Sequence, residues 1–167
     1  TLDRVIGHVD LDYFYAQVEE VENPELRLRP VVVCVFSGRT SDSGVVSTAN
    51  YMARDFGVQS GMPIATAKKK LDGHDPAIIR MDHEKYEVVS NRILELVASQ
   101  VDVHEQTGND EAFFDLTNST KGDYSKAKEV AERVKGALLG SERLSASIGI
   151  GRSKVVAKVG SDMAKPG

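Results

Sequence analysis

HVDLDYFYAQVEE, residues 8–20, carries an apolar run into two aspartates and then into three consecutive aromatic rings. The apolar residues Val5, Ile6, Val9 and Leu11 predict a core strand over Val5–Asp10. Phe14–Val21 reads as a helix stopped at Asn23-Pro24. A strand that ends in Asp10 and Asp12 brings carboxylates to the edge of a core, which is costly unless a partner or cation neutralises them. The stretch therefore predicts a cation beside Asp10 and a flat or bulky group against Tyr13, Phe14 and Tyr15.

Working outward, the 167 residues, 41% hydrophobic and 28% charged, suit one globular core or a core with a sizeable insertion. The single cysteine, Cys34, excludes an internal disulfide and fits a reducing, cytoplasmic setting. No apolar run approaches the roughly 20 residues of a membrane span, and no signal peptide precedes Thr1, which suggests a trimmed start. The net charge of −4 does not advertise a nucleic-acid binder. Charge is uneven, however: in the last sixteen residues Arg152, Lys154, Lys158 and Lys165 face only Asp162. The closing DMAKPG reads as a domain boundary.

Strands and helices interleave along the chain. Strands are expected at Pro30–Phe36, Val45–Thr48, Ile78–Ile79, near Val101, at Ala112–Leu116 and at Leu144–Ile150. Helices are expected at Asn50–Phe56, after Pro63 as far as Lys68–Lys70, at Glu84–Ser99, at Ser125–Leu138 and after the cap residue Ser153. The Glu84–Ser99 helix sets Val88, Val89, Ile93, Leu94, Leu96 and Val97 on its apolar side. The 112–116 and 144–150 strands could pair antiparallel around a long helix, so an α+β, ferredoxin-like layout is as compatible as an α/β one.

A second acidic cluster lies in GNDEAFFDLT, with Asp110, Glu111 and Asp115. Asp110 and Glu111 are adjacent, so both reach one site only at a strand end or turn, which Gly108 permits. With Asp10 they offer a hard, all-oxygen site for Mg²⁺ or Mn²⁺ rather than zinc. His8, His74, His83 and His104 lack metal-ligand spacing and read as surface or strand residues. Three readings compete for the first cluster. Asp12 could be a plain helix N-cap beside a satisfied Asp10. The D-x-D could be the first motif of a haloacid-dehalogenase-type phosphatase, with Thr48 and Lys68 in its middle motifs, although Phe14 departs from that pattern. It could also serve two-metal phosphoryl transfer. The rings favour the last, because a bulky ring beneath a sugar excludes a 2′-hydroxyl. Tyr13 reads as core packing, whereas Tyr15, on the first helical turn, points back toward the acids.

The chain resembles the Y-family DNA polymerases of the DNA polymerase IV type, and most closely the archaeal members. The resemblance runs nearly end to end, through HVDLDYFYAQVEE, NPELRLRPVVVCVFSGR, SGVVSTANYMARDFGVQSGMPI, DEAFFDLT and SIGIGRSKVVAKVGSDMAKP. It implies an α+β fold, a ferredoxin-like palm (1–13 and 81–167) interrupted by a small α/β fingers domain (14–80). Thumb and little-finger domains would be absent from this chain.

By the same resemblance Asp10, the backbone carbonyl of Leu11, Asp110 and Glu111 hold two Mg²⁺ ions, with Mn²⁺ as a substitute. Asp10, Asp110 and Glu111 are the catalytic carboxylates. Tyr15 is the steric gate against ribose and Phe14 supports the sugar. Thr48, Tyr51, Arg54 and Lys165 bind the triphosphate, for which two hydroxyls, a guanidinium and an ammonium are suited. Asp12 is left as the helix cap, Lys68–Lys70 as a solvated face, and Arg39 as a residue near the template. Gly108 and Asn109 stand where the family has serine and an apolar residue, which loosens the strand and puts a primer-terminus contact in question.

The expected function is error-prone, template-directed DNA synthesis during translesion bypass. Expected partners are primer-template DNA, a deoxynucleoside triphosphate (dNTP) and a sliding clamp reached through regions outside this chain. The protein is expected to be monomeric, cytoplasmic and off the membrane. A phosphatase and a non-catalytic nucleotide- or DNA-binding fragment are the alternatives.

Overall fold

The computed structural model describes residues 1–101 and 104–167. In order the chain forms β1 (Ile6–Leu11), α1 (Phe14–Glu22), a 3-10 turn (Pro24–Leu28), β2 (Val31–Phe36), β3 (Gly44–Ala49), α2 (Tyr51–Asp55), α3 (Ile64–Lys70) and β4 (Ala77–Arg80). It continues through α4 (His83–Gln100), β5 (His104–Gln106), β6 (Glu111–Asp115), α5 (Thr117–Thr120), α6 (Tyr124–Glu142), β7 (Ala146–Gly151) and α7 (Lys154–Met163). Two compact units result: Thr1–Asp12 with Glu87–Gly167, and Tyr13–Tyr86.

The first unit is built on an antiparallel sheet in the order β5-β6-β1-β7. Leaving out the second unit, the elements run β1-α4-β5-β6-α6-β7, the β-α-β-β-α-β sequence of a ferredoxin-like fold. The fold is therefore α+β, the choice that periodicity alone left open. The 112–116 and 144–150 strands do not pair with each other, because β1 lies between β6 and β7. Burial follows the helical stripe on α4, where Val89, Ile93, Leu94 and Val97 are enclosed. Val88 breaks the expectation and stands 56% exposed, since at helical spacing it lies on the face opposite the stripe. The strand expected near Val101 is β5, at His104–Gln106; Val101 itself extends the helical bonding through its N–H to the Val97 carbonyl, and residues 102 and 103 lie outside the described ones.

Helix α7 lies on β7 with backbone close to backbone. A Cβ on Gly149 would sit 2.0 Å from the Ala157 carbonyl oxygen and 2.3 Å from the Ser161 nitrogen. Ser153 caps the helix as expected, its hydroxyl accepting from the Val156 N–H. Gly149→Ala should cost about 3 kcal/mol, because overpacking here must displace main chain rather than a flexible side chain. Urea unfolding would read this as a lower midpoint, and an unchanged midpoint would mean that α7 does not need this seat.

The second unit has a sheet in the order β3-β2-β4, with β2 antiparallel to β3 and parallel to β4. Its core gathers Val32, Cys34, Val46, Ala49, Ala53, Val58, Ile64, Ala67 and Leu71. The predicted buried strand at 30–36 is enclosed through Cys34, but Val35 emerges at 44% exposure as the strand runs out into a turn. Asn50 does more than cap α2. Its Oδ1 accepts from the Val31 and Ala53 N–H groups, and its Nδ2 donates to Glu20 and to the Arg29 carbonyl. One buried amide thus joins α1, the chain ahead of β2, and α2 with its hydrogen-bonding capacity filled. Lys68 pairs with Asp42, while Lys69, Lys70 and Arg39 are exposed.

Candidate active site

Antiparallel register sets Asp10 of β1 directly opposite Glu111 of β6. Asp110 joins them because it is the last residue of the bend at 108–110, ahead of β6, where strand alternation does not yet apply. The Leu11 N–H donates to the Asp110 carbonyl at 2.9 Å and fixes this bend to the end of β1. Carboxylate oxygens from Asp10, Asp110 and Glu111 lie within 4.8 Å of one another. The sequence expectation for these three is met in space.

The bend is tied to α4 through its backbone, the Asn109 carbonyl accepting the Ser90 hydroxyl. Gln106 donates to the Gly108 carbonyl at 3.0 Å. Thr107, which drew no attention in the sequence, donates its hydroxyl to Glu111 Oε1 at 2.9 Å. Glu111 also has Lys158 Nζ and His8 Nε2 each at 3.9 Å. His8 is fully buried, with Nδ1 2.6 Å from Ser161 Oγ. The Ser161 hydroxyl is itself donated to the Lys158 carbonyl, so His8 Nδ1 is the donor in that pair.

Three carboxylates this close repel one another, and burial compounds the cost. Asp110 is pushed up to about 6, first by desolvation and then by the charges of Asp10 and Glu111. Asp10 is also raised by burial, but the Lys165 ammonium, 2.9 Å from its Oδ2, opposes the shift. Burial lowers His8, with Glu111 pulling the other way. An all-oxygen donor set with surplus negative charge fits a hard divalent cation better than zinc.

The sequence expects Asp12 as a helix cap, and the structure gives it partners at Ser145 and on β7. The N-cap of α1 is Tyr13, in a left-handed conformation at φ 30°. Asp12 is fully buried, its oxygens accepting from the Ser145 and Ser147 hydroxyls at 2.7 Å each.

Within the second unit, Phe14 is buried and its ring centroid lies 5.4 Å from that of Tyr15. Tyr15 stacks on Tyr86 at 4.5 Å and 14°. Tyr86 is buried and donates its hydroxyl to Glu19 at 2.9 Å. Burial and Glu19 hold that phenol well above its usual pKa, so it remains a donor. The sequence signal for Tyr86 was its place three and seven residues before Val89 and Ile93, on the apolar stripe of α4. Thr48 is half-buried on β3. Arg54 stands 5.2 Å over the Tyr51 ring and donates to the Ala49 carbonyl. Tyr13 packs edge-on against Tyr51 at 4.9 Å and donates to Glu20, in keeping with its reading as a packing residue.

Comparison with known proteins agrees with this geometry. The impB/mucB/samB family model matches residues 9–162. A DNA polymerase IV of Metallosphaera sedula is 48% identical over 162 residues, covering 97% of this chain and 46% of that protein. One from Nitrosopumilus maritimus is 44% identical over 164 residues, covering 98% and 45%. Among solved structures, a Y-family DNA polymerase chimera of Dbh and Dpo4 matches with a TM-score of 0.93 at 41% identity. The insertion ternary complex of Dbh DNA polymerase matches at 0.91, also with 41% identity. Both structural matches cover 97% of this chain and 46% of the other. The chain thus spans about half the length of the relatives it matches, and the phosphatase alternative finds no support among them. With its β-α-β-β-α-β core and its three converging carboxylates, the chain belongs to the impB/mucB/samB family, the Y-family DNA polymerases.

Proposed function

We propose that this chain is the palm (1–13 and 81–167) and fingers (14–80) of a translesion DNA polymerase. It would add deoxynucleotides to a primer 3′-hydroxyl under the direction of a template. The observation that carries the reading is the convergence of Asp10, Asp110 and Glu111 on neighbouring antiparallel strands. Asp10, the Leu11 carbonyl, Asp110 and Glu111 would hold two Mg²⁺ ions, or Mn²⁺ in their place. When bound, such ions neutralise phosphate charge and favour ionisation of the attacking hydroxyl.

The chain's own residues have separate tasks. Lys165 and Arg54 supply cationic donors to the triphosphate, and Thr48 and Tyr51 supply hydroxyls. Phe14 supports the sugar and Tyr15 excludes its 2′-hydroxyl. The primer oxygen bonds to the α-phosphorus as the bond to pyrophosphate breaks, and the hydroxyl proton passes to solvent. Primer-template DNA and a dNTP are the substrates. A sliding clamp is proposed as a partner of the longer protein, bound outside residues 1–167. We further propose a monomer acting in the cytoplasm; among the described residues no helix is long and apolar enough to cross a membrane.

Primer extension with magnesium and the four deoxynucleotides tests the reading. Extension should occur with the chain and fall below detection with Asp10→Ala. Undiminished extension by Asp10→Ala, or magnesium-dependent turnover of a simple phosphate monoester, would overturn it.

A further inference from the structure

Asp12 has no part in the chemistry above, yet it is fully buried and accepts from two serine hydroxyls. Ser147 has a second partner at the end of the segment that follows α7. Ser147 donates its proton to Asp12 Oδ1, which leaves its oxygen as an acceptor, and the Gly167 N–H donates to it at 3.1 Å. Gly167 passes so close that a Cβ there would lie 3.4 Å from Asp12 Oδ2. Lys135 Nζ donates to the Gly167 carbonyl from the other side. On the N-terminal flank, the Ala164 N–H donates back to the Gly160 carbonyl at 3.1 Å and ends α7. Only Lys165 and Pro166 lie between these two fixed points, and Lys165 reaches Asp10 at 2.9 Å.

We propose that Asp12 and Ser147 are positioning residues for Lys165. The buried carboxylate orients the Ser147 hydroxyl, the hydroxyl anchors Gly167, and the anchored segment presents the ammonium beside Asp10, poised for the triphosphate. A lysine side chain loses much rotamer freedom on binding, so fixing its backbone beforehand reduces what remains to be ordered when the nucleotide arrives. The inference rests on the reading of Lys165 as a triphosphate ligand.

The test is the Kd for dATP in magnesium buffer, measured on the whole chain and on four variants. Lys165→Ala should weaken binding about tenfold by loss of a charge-assisted contact. Ser147→Ala should weaken it about threefold, while Ser145→Ala, which removes the other hydroxyl from the same carboxylate, stays within about twofold. Because Ser147 acts through Lys165, the Ser147→Ala/Lys165→Ala double variant should bind no more weakly than Lys165→Ala alone, a non-additivity of about threefold. Equal effects of Ser145→Ala and Ser147→Ala would show simple structural support of Asp12 and overturn the inference. Additive effects in the double variant would overturn it too, leaving the role of Lys165 intact. An unchanged Kd in Lys165→Ala would remove that role and the inference together.

Discussion

Asp110→Asn is expected to lower primer extension about 10³-fold, as removal of a key electrostatic group in an active site does. The same substitution should make the chain harder to unfold at pH 8. Asp110 is buried beside two other carboxylates and is raised from an ordinary 3.8 to about 6. The folded state therefore binds more protons than the unfolded one between roughly pH 4 and pH 6, and stability declines as pH rises through that window. Above it the penalty is fully present, about 3 kcal/mol as a ceiling from the shift and nearer 1–2 after solvent screening of a partly exposed group.

Asparagine keeps the shape and removes the charge. The variant should melt several degrees above the wild type at pH 8 without metal, and the gap should close below about pH 4, where Asp110 is protonated in both states. Magnesium should raise the melting temperature of the wild type more than that of the variant. A variant that melts at or below the wild type at pH 8 would mean that the three carboxylates do not repel as their spacing implies.

Tyr15→Ala should reduce discrimination against ribonucleotides about 10²-fold, read as the ratio of kcat/KM for deoxy- and ribonucleotides. Tyr15→Phe should leave it near wild type, since the ring and not the hydroxyl supplies the obstruction. The structure adds a prediction about a residue two layers deep. The Tyr15 ring lies face to face with Tyr86, whose hydroxyl is held by Glu19, which in turn has Lys85 Nζ at 2.6 Å. Tyr86→Leu removes the flat support and should relax discrimination to an intermediate degree, with deoxynucleotide turnover less affected. Unchanged discrimination in Tyr15→Ala would move the gate to another residue, and unchanged discrimination in Tyr86→Leu alone would mean that the stack does not set the ring's orientation.

Much of this was legible from short-range signals. Asp10, Asp110 and Glu111 announced themselves as acids at strand ends, and the Ser153 and Asn50 caps follow the usual preference of helix starts for small polar residues. The same preference leaves the serine partners of Asp12 unseen. A carboxylate just ahead of a helix reads as a cap, and nothing nearby in sequence reveals hydroxyls arriving from residues 145 and 147. Val88 failed for a geometric reason, because apolarity was read without the phase of the stripe. The pairing of β1 with both β6 and β7 was also hidden, since register between strands a hundred residues apart leaves no mark on either one. His8 owes its place beside Glu111 to that pairing, whereas Thr107 reaches the same carboxylate across the short turn into β6.

The seat of α7 has a consequence for motion. Where helices and sheets meet through interlocking side chains, rotamer changes let one layer slide against the other. At Gly149 the cushion is missing, and main chain bears on main chain. The helix that leads to Lys165 is thereby held stiffly on β7, which pairs along its length with the strand that carries Asp10, and the ammonium–carboxylate spacing should persist through fluctuations that loosen the rest of the unit. In amide hydrogen exchange, β1, β7 and α7 should open together and last, as one cooperative block.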